Sequence, residues 1–260
     1  MIIAARQALT ANRCAPRQQR STYAAQRLRS LFGPSIRLWL DGSIDQQPIG
    51  GAVAQAQDQS GLGVAITQTV VASRPLRSVV QNVSGWTFDA LDDRLNTAAV
   101  NLSGANKATL VCVHRLAVAG TAGILLEVGN GAAVNGGIQF FRTATGRFSG
   151  NSYTGVSYNA KDAASSVGVW LSQTVVLDRS LPAASETTLY QNGAAVAMTT
   201  LASADLSANF ENRASTIGGW AASAATINGQ IAQMIVLTGS LTAARVAEIS
   251  LLAMQTAGVA

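Results

Sequence analysis

The sequence predicts an all-β fold: a sandwich of two antiparallel sheets, with a helix-bearing arm before it and a short helix after it. Three observations predict this. Short apolar runs alternate with turn clusters such as Gly129-Asn130-Gly131, Asn135-Gly136-Gly137 and Asn192-Gly193, as strands joined by tight turns require. Hydrophobic residues make up 48% of the chain and charged residues only 12%, so a large core must be wrapped in Ser, Thr, Asn, Gln and Gly. The charge is segregated too. Residues 1–35 hold Arg6, Arg13, Arg17, Arg20, Arg27 and Arg29 without one acid, so the net charge of +5 belongs to the arm and the body is close to neutral.

A chain of 260 residues accommodates one large sandwich and an appendage, here a basic arm of residues 1–35 and a sandwich of residues 36–260. Arg6 interrupts the apolar start after five residues, against a secretory signal, and the arm is expected to be part of the working protein. The arm's helix runs from about Gln18 to Phe32. Tyr23, Arg27, Leu28 and Leu31 share a side, Arg27 and Arg29 suit the C-terminal end of the helix dipole, and Gly33-Pro34 stops it. So short a helix needs a surface to pack on, its own sandwich or a neighbour.

Strands follow at Ile36–Asp41, Thr109–Leu116, Gly123–Val128, Gly137–Arg142, Val167–Leu177, Thr187–Gln191, Ala194–Met198, Ser215–Gly219 and Gln230–Leu237. Asn192-Gly193 predicts a type I′ hairpin, because both residues tolerate positive φ. Thr242 caps a final helix with an apolar stripe of Leu241, Val246, Ile249, Leu252 and Ala253; Arg245 stands where Glu would complete a capping box. Cys112 reads as a small core residue and Cys14 lies in the arm, without metal-ligand spacing or a disulfide framework. No apolar run approaches the length of a membrane span.

Four stretches, in order over roughly residues 36–256, resemble the laminin-G-like, concanavalin A-like lectin/glucanase family, in the form common in bacteriophage virion and bacterial surface proteins. They are Leu38-Trp39-Leu40-Asp41 with Asp58-Gln59-Ser60-Gly61-Leu62-Gly63; Phe88-Asp89-Ala90-Leu91-Asp92-Asp93-Arg94-Leu95; Leu189-Tyr190-Gln191-Asn192-Gly193; and the closing Ile217-Gly218-Gly219, Asn228-Gly229-Gln230-Ile231-Ala232 and Leu241-Thr242-Ala243-Ala244. Ala90 stands where the family has Gly, and Arg245 where it has Glu. The resemblance implies a concanavalin A-like jelly roll.

Catalytic residues are not found. A retaining glycosidase of this class needs two carboxylates about 5 Å apart on one strand face, whereas the glutamates, among them Glu127, Glu186 and Glu248, each stand alone and neighbouring Asp92 and Asp93 would point to opposite faces of a strand. Their plainer role is to bind backbone N–H groups in a turn. His114 sits inside a strand with no nucleophile motif to serve. Calcium, which the resemblance admits, would draw on Asp41, Asp45, Asp58, Asp89, Asp92 and Asp93, but no spacing defines a metal site and no cofactor is expected. Glycan binding would use Tyr153, Tyr158 and Trp220, which sit among Gly, Ser and Asn; Trp39, Trp86 and Trp170 read as core or rim.

The arm interleaves its arginines with Tyr23, Leu28, Leu31 and Phe32, favouring docking on a protein surface over nucleic acid. The first expectation is therefore a non-enzymatic virion accessory protein at the virion surface. It would decorate a capsid rather than serve as a tail adhesin, and would be held to other virion proteins, and to further copies of itself, by Arg6, Arg13, Arg17, Arg20, Tyr23, Arg27, Leu28, Arg29, Leu31 and Phe32. Deleting residues 1–35 would then leave a folded, soluble monomer. The alternative is a carbohydrate-binding lectin module recognising cell-surface glycans.

Overall fold

The computed structural model describes residues 17–44, 48–117, 122–129, 135–155, 157–220 and 225–259, residues 17–20 by their backbone alone. In chain order its elements begin with α1 (Arg17–Phe32), β1 (Ile36–Asp41), β2 (Gln55–Ala56), β3 (Ile66–Thr67), β4 (Leu76–Val80), β5 (Val83–Asp89), β6 (Leu95–Asn101), β7 (Lys107–Leu116), β8 (Gly123–Val128) and β9 (Ile138–Arg142). The second half carries β10 (Arg147–Thr154), β11 (Ser157–Ala164), β12 (Leu171–Asp178), α2 (Ala183–Glu186), β13 (Thr187–Gln191), β14 (Ala194–Ala195), β15 (Thr199–Ser203), β16 (Asn212–Ile217), β17 (Asn228–Thr238) and α3 (Ala243–Ala257).

The strands form two antiparallel sheets. One runs β14-β13-β12-β7-β17-β5-β4, with β1 pairing the second half of β17 beside β5; the other runs β15-β11-β10-β9-β8-β16-β6-β3-β2. Alternation along each strand sends one set of side chains between the sheets. Leu38, Leu40, Leu110, Cys112, Val175, Met234 and Val236 from the first sheet meet Leu126, Phe140, Phe148 and Ile217 from the second in the main core. This is the jelly-roll sandwich expected from the sequence.

The residues between those positions, Trp39, Val111, Val113, Ile235 and Leu237, face the other way and form a second core under α1 and α3. Ala24, Leu28 and Phe32 of α1 and Ile249, Leu252 and Ala253 of α3 fill it, all buried. Arg245 lays its guanidinium 4.8 Å from the centre of the Phe32 ring and pairs with Glu248 at 2.7 Å, while Arg27 reaches the same Glu248 at 3.2 Å. The residue that departs from the family's usual Glu thus clamps the two helices. The described part of the arm is a layer of this chain's own fold. No described helix is long and apolar enough to cross a membrane.

Several expected boundaries move. The strand expected from Val167 starts at Leu171, because Gly168 turns the chain with φ +74°. The strand expected at Ser215–Gly219 runs Asn212–Ile217 and stops at Gly218, where φ is +81° and a Cβ would overlap the Phe88 ring. The strand expected at Ala194–Met198 ends at Ala195, and the chain then crosses to the second sheet as β15. The Asn192-Gly193 hairpin forms as expected, with φ of +51° and +81°. Ala90 also sits at positive φ, +68°, which explains Gly at that place in relatives.

Candidate functional site

Since α1 and α3 cover the outside of the first sheet, the outside of the second is the broad sheet face left open to a ligand. A cavity of about 680 Å³ opens there, within the range of about 300–1,000 Å³ usual for ligand sites. Tyr153, Tyr158 and Trp220, the three aromatics singled out from the sequence, all line it.

Two of them are brought together by the β10–β11 hairpin. Gly155, at φ +59°, lies in its turn, and Tyr153 and Tyr158 fall directly opposite each other as a cross-strand pair. Their rings stack with centroids 5.5 Å apart and planes 25° from parallel. Tyr153 is 6% exposed and forms the floor; Tyr158 is 42% exposed and presents a ring at the mouth. Trp220 arrives from the far side, directly after the Gly218-Gly219 break that ends β16. Its indole Nε1 is buried without a hydrogen-bond partner among the described residues.

Sequence reasoning missed the polar floor. Ser149 Oγ donates to Asn151 Oδ1 at 2.8 Å, Asn151 Nδ2 donates to the Tyr153 hydroxyl at 3.0 Å, and that hydroxyl donates to Gln139 Oε1 at 2.7 Å. Gln139 Nε2 in turn donates to the buried Glu127 carboxylate at 3.0 Å. Burial pushes the Tyr153 phenol up, and Tyr158 and Glu127 add to the effect, so it stays protonated and keeps the chain of donors in order. The signal that could have found Asn151 is its spacing of two residues before Tyr153 on one strand, and Gln139 stands opposite Asn151 on the next.

The hairpin is anchored from below. Ser152 donates to Glu186, Asn159 Nδ2 donates to the Ala183 carbonyl at 2.8 Å, and Lys161 Nζ donates to the Thr187 carbonyl at 3.0 Å. Arg179, packed 4.0 Å from the Phe210 ring centre, donates to the Tyr153 carbonyl at 2.9 Å. These bonds explain why β10 and β11 show no apolar alternation.

Other candidates fall elsewhere. His114 is buried between the sheets, with Nε2 2.7 Å from Gln173 Oε1 and Nδ1 without a partner among the described residues; burial pulls its pKa down to about 4. Asp58 locks the Ser60–Val64 loop, accepting from the backbone N–H groups of Trp39, Ser60 and Val64 at 2.9–3.1 Å. Asp41 accepts from Ser43 and from Gln233, and burial raises its pKa. Asp45 lies outside the described residues. Asp89, Asp92 and Asp93 bring carboxylate oxygens within 4.8 Å of one another. Each already accepts a bond, from Leu91 N, Ser73 Oγ and Asp89 N respectively, as a turn requires. Burial, then the two neighbouring carboxylates, push Asp93 up to about 6.

The arm's expected docking residues divide. Arg6 and Arg13 lie outside the described residues, and Arg17 and Arg20 are described by their backbone alone. Leu28 and Phe32, expected to anchor a partner, are instead buried in this chain's second core, with Leu31 packed at its margin, because the outside of the first sheet offers the apolar surface the helix needs. Arg29 lies over Trp39, 5.2 Å from the ring centroid, and bonds to Gln59 at 3.2 Å. Tyr23 stays outside.

A two-sheet jelly roll with a solvent-facing, aromatic-lined cavity and no catalytic constellation among the described residues defines a lectin-like sandwich. The pattern of the concanavalin A-like lectin/glucanases superfamily matches residues 89–247, more than half of the chain, and the chain belongs to that superfamily. No curated protein matches it. Among solved structures it is similar to the botulinum neurotoxin serotype G binding domain (TM-score 0.61, 11% identity, 84% of this chain and 51% of that one). It is also similar to a botulinum neurotoxin type C structure described by its dependence on two ganglioside molecules (TM-score 0.57, 9% identity, 86% and 52%). A third is domain 4 of AbnA, a GH43 extracellular arabinanase from Geobacillus stearothermophilus, in complex with arabinotriose (TM-score 0.57, 12% identity, 83% and 98%). The chain spans about half the length of the toxin chains and nearly all of the arabinanase domain. At these identities the likeness is one of fold.

Proposed function

We propose that this chain is a carbohydrate-binding module that holds glycans in the cavity on the outside of the second sheet and does not turn them over. The observation that carries the reading is the convergence of the Tyr153–Tyr158 hairpin pair and the sequence-distant Trp220 on one cavity. Aromatic faces stack on the C–H faces of sugar rings, and amide side chains such as Asn151 and Gln139 set orientation. The arabinotriose complex of a similar domain supports it. None of the described lining residues is a carboxylate, histidine or thiol, so acid–base hydrolysis lacks its groups.

This reading needs neither a virion nor a second subunit. Attachment to a capsid through the arm rested on apolar anchors free for a partner, and Leu28 and Phe32 are occupied at home. A glycan array on the intact chain, repeated with Tyr158→Ala and Trp220→Ala, tests the proposal. Binding to a defined glycan that both variants weaken at least tenfold is expected. A blank array, or binding that neither variant disturbs, refutes the site; release of reducing sugar by the pure protein refutes the non-catalytic half.

A further inference from the structure

The chemistry of the cavity wall narrows the ligand class, resting on the carbohydrate-binding reading. Around the stacked tyrosines the wall is apolar: Ile124, Phe141, Ala160 and Leu201. Among the described residues no cation lines the cavity. The stretches next in sequence to its lining residues, 118–121, 156 and 221–224, contain no ionisable side chain either. Behind the floor stands a carboxyl group, Glu127, one side chain beyond Gln139.

Of the polar groups that line the cavity, the Asn151 and Gln139 amides and the Tyr153 hydroxyl are committed to one another, while Trp220 Nε1 is left as a donor. A side-chain amide offers two N–H donors and one carbonyl. Asn151 and Gln139 each have one N–H and one carbonyl lone pair engaged in the floor network, so each keeps one donor and one acceptor lone pair for a ligand. A fully hydroxylated hexose pressed into such a wall would leave several hydroxyls stripped of water and unpaired, each at a cost of about 1–3 kcal/mol. A carboxylated sugar would fare worse, with no cation to meet it. A sugar that replaces one hydroxyl by an acetamido group fits both constraints. Its methyl lies on the apolar wall, and its carbonyl accepts from a spare amide N–H.

We infer that the cavity selects uncharged sugars carrying an acetamido group over their hydroxyl counterparts and over anionic sugars. The test is ligand-observed NMR titration of the intact chain with methyl glycosides of N-acetylglucosamine and N-acetylgalactosamine, each matched to the glucoside and galactoside, and with 3′-sialyllactose. The expected result is at least tenfold tighter binding of one acetamido sugar than of its hydroxyl partner, no detectable sialyllactose binding, and loss of the signal in Tyr158→Ala. Equal affinities within both matched pairs, or sialyllactose binding that Tyr158→Ala abolishes, overturns the selectivity and leaves the carbohydrate site standing. If these probes and the glycan array are all silent, the carbohydrate reading itself fails and the selectivity falls with it.

Discussion

Leu28→Ala asks whether the arm helix belongs to this fold or to a partner. Leu28 is 0% exposed and sits in the second core with Ala24, Phe32 and Trp39, under the face of the first sheet. Truncating a fully buried Leu removes its transfer free energy and leaves a cavity that the surroundings close only in part, together about 3–5 kcal/mol. With a urea m-value of about 2–3 kcal/mol/M, the unfolding midpoint should fall by roughly 1–2.5 M at unchanged m. Tyr23→Ala, on the outward side of the same helix at 42% exposure, should cost less than about 1 kcal/mol and serves as the control. Urea unfolding followed by tryptophan fluorescence reports on the core directly, because Trp39 lies in it. The loss must also be independent of protein concentration, since the groups in contact are on one chain. An unchanged midpoint, or a loss that depends on protein concentration, would refute an intramolecular role. The same packing reverses the expectation drawn from sequence for deletion of residues 1–35: stripping α1 uncovers Trp39, Ile235 and Leu237, so the truncated chain should aggregate.

Two further outcomes follow from backbone geometry and titration. Ala90→Gly should stabilise by about 0.5–1 kcal/mol in thermal or urea unfolding, relieving a side chain held at φ +68°, whereas Gly218→Ala, forced against Phe88 at positive φ, should cost more than about 3 kcal/mol or abolish soluble expression. Asp93, pushed above its ordinary 3.8 to about 6, contributes stability that is complete below pH 4 and lost as pH rises through 6. His114, pulled from 6.5 to about 4, contributes stability present above pH 6.5 and lost as pH falls through 4. The two slopes oppose each other between pH 4 and 6. Asp93→Asn should therefore be more stable than the parent at pH 7.5 and should lose up to about 1.4 kcal/mol per pH unit on acidification below 6.5, read from urea midpoints at four pH values. Curves parallel to the parent's would sink the assignment.

The two strands that carry the site were the least legible in the sequence. β1, β8 and β13 have the boundaries expected, because apolar side chains in each reach a core: Leu38 and Leu40, Leu126 and Val128, and Leu189 with Tyr190. β10 and β11 have no such pattern. Their inward positions include Ser152, Asn159 and Lys161, paired with α2 and its flanks, and their outward positions carry the polar floor of the cavity. Satisfied polar groups bury as well as apolar ones, and hydropathy does not register the difference. The β4–β5 hairpin was missed for another reason: its turn is Gln81-Asn82, both at positive φ, instead of a glycine pair.

From residues alone came the sandwich, its two flanking helices, the type I′ hairpin at Asn192-Gly193, the superfamily and three aromatic candidates, since periodicity, turn chemistry and motif order are local properties of the chain. Where α1 docks, and that Tyr153, Tyr158 and Trp220 share a cavity with Gln139 and Asn151, only the tertiary structure decided. Both depend on pairings between distant segments: Trp220 reaches the Tyr153–Tyr158 hairpin from the end of β16, and Leu28 finds the face of a sheet whose strands come from both ends of the chain. A short amphipathic helix carries the demand for an apolar surface but not the address of the surface that meets it.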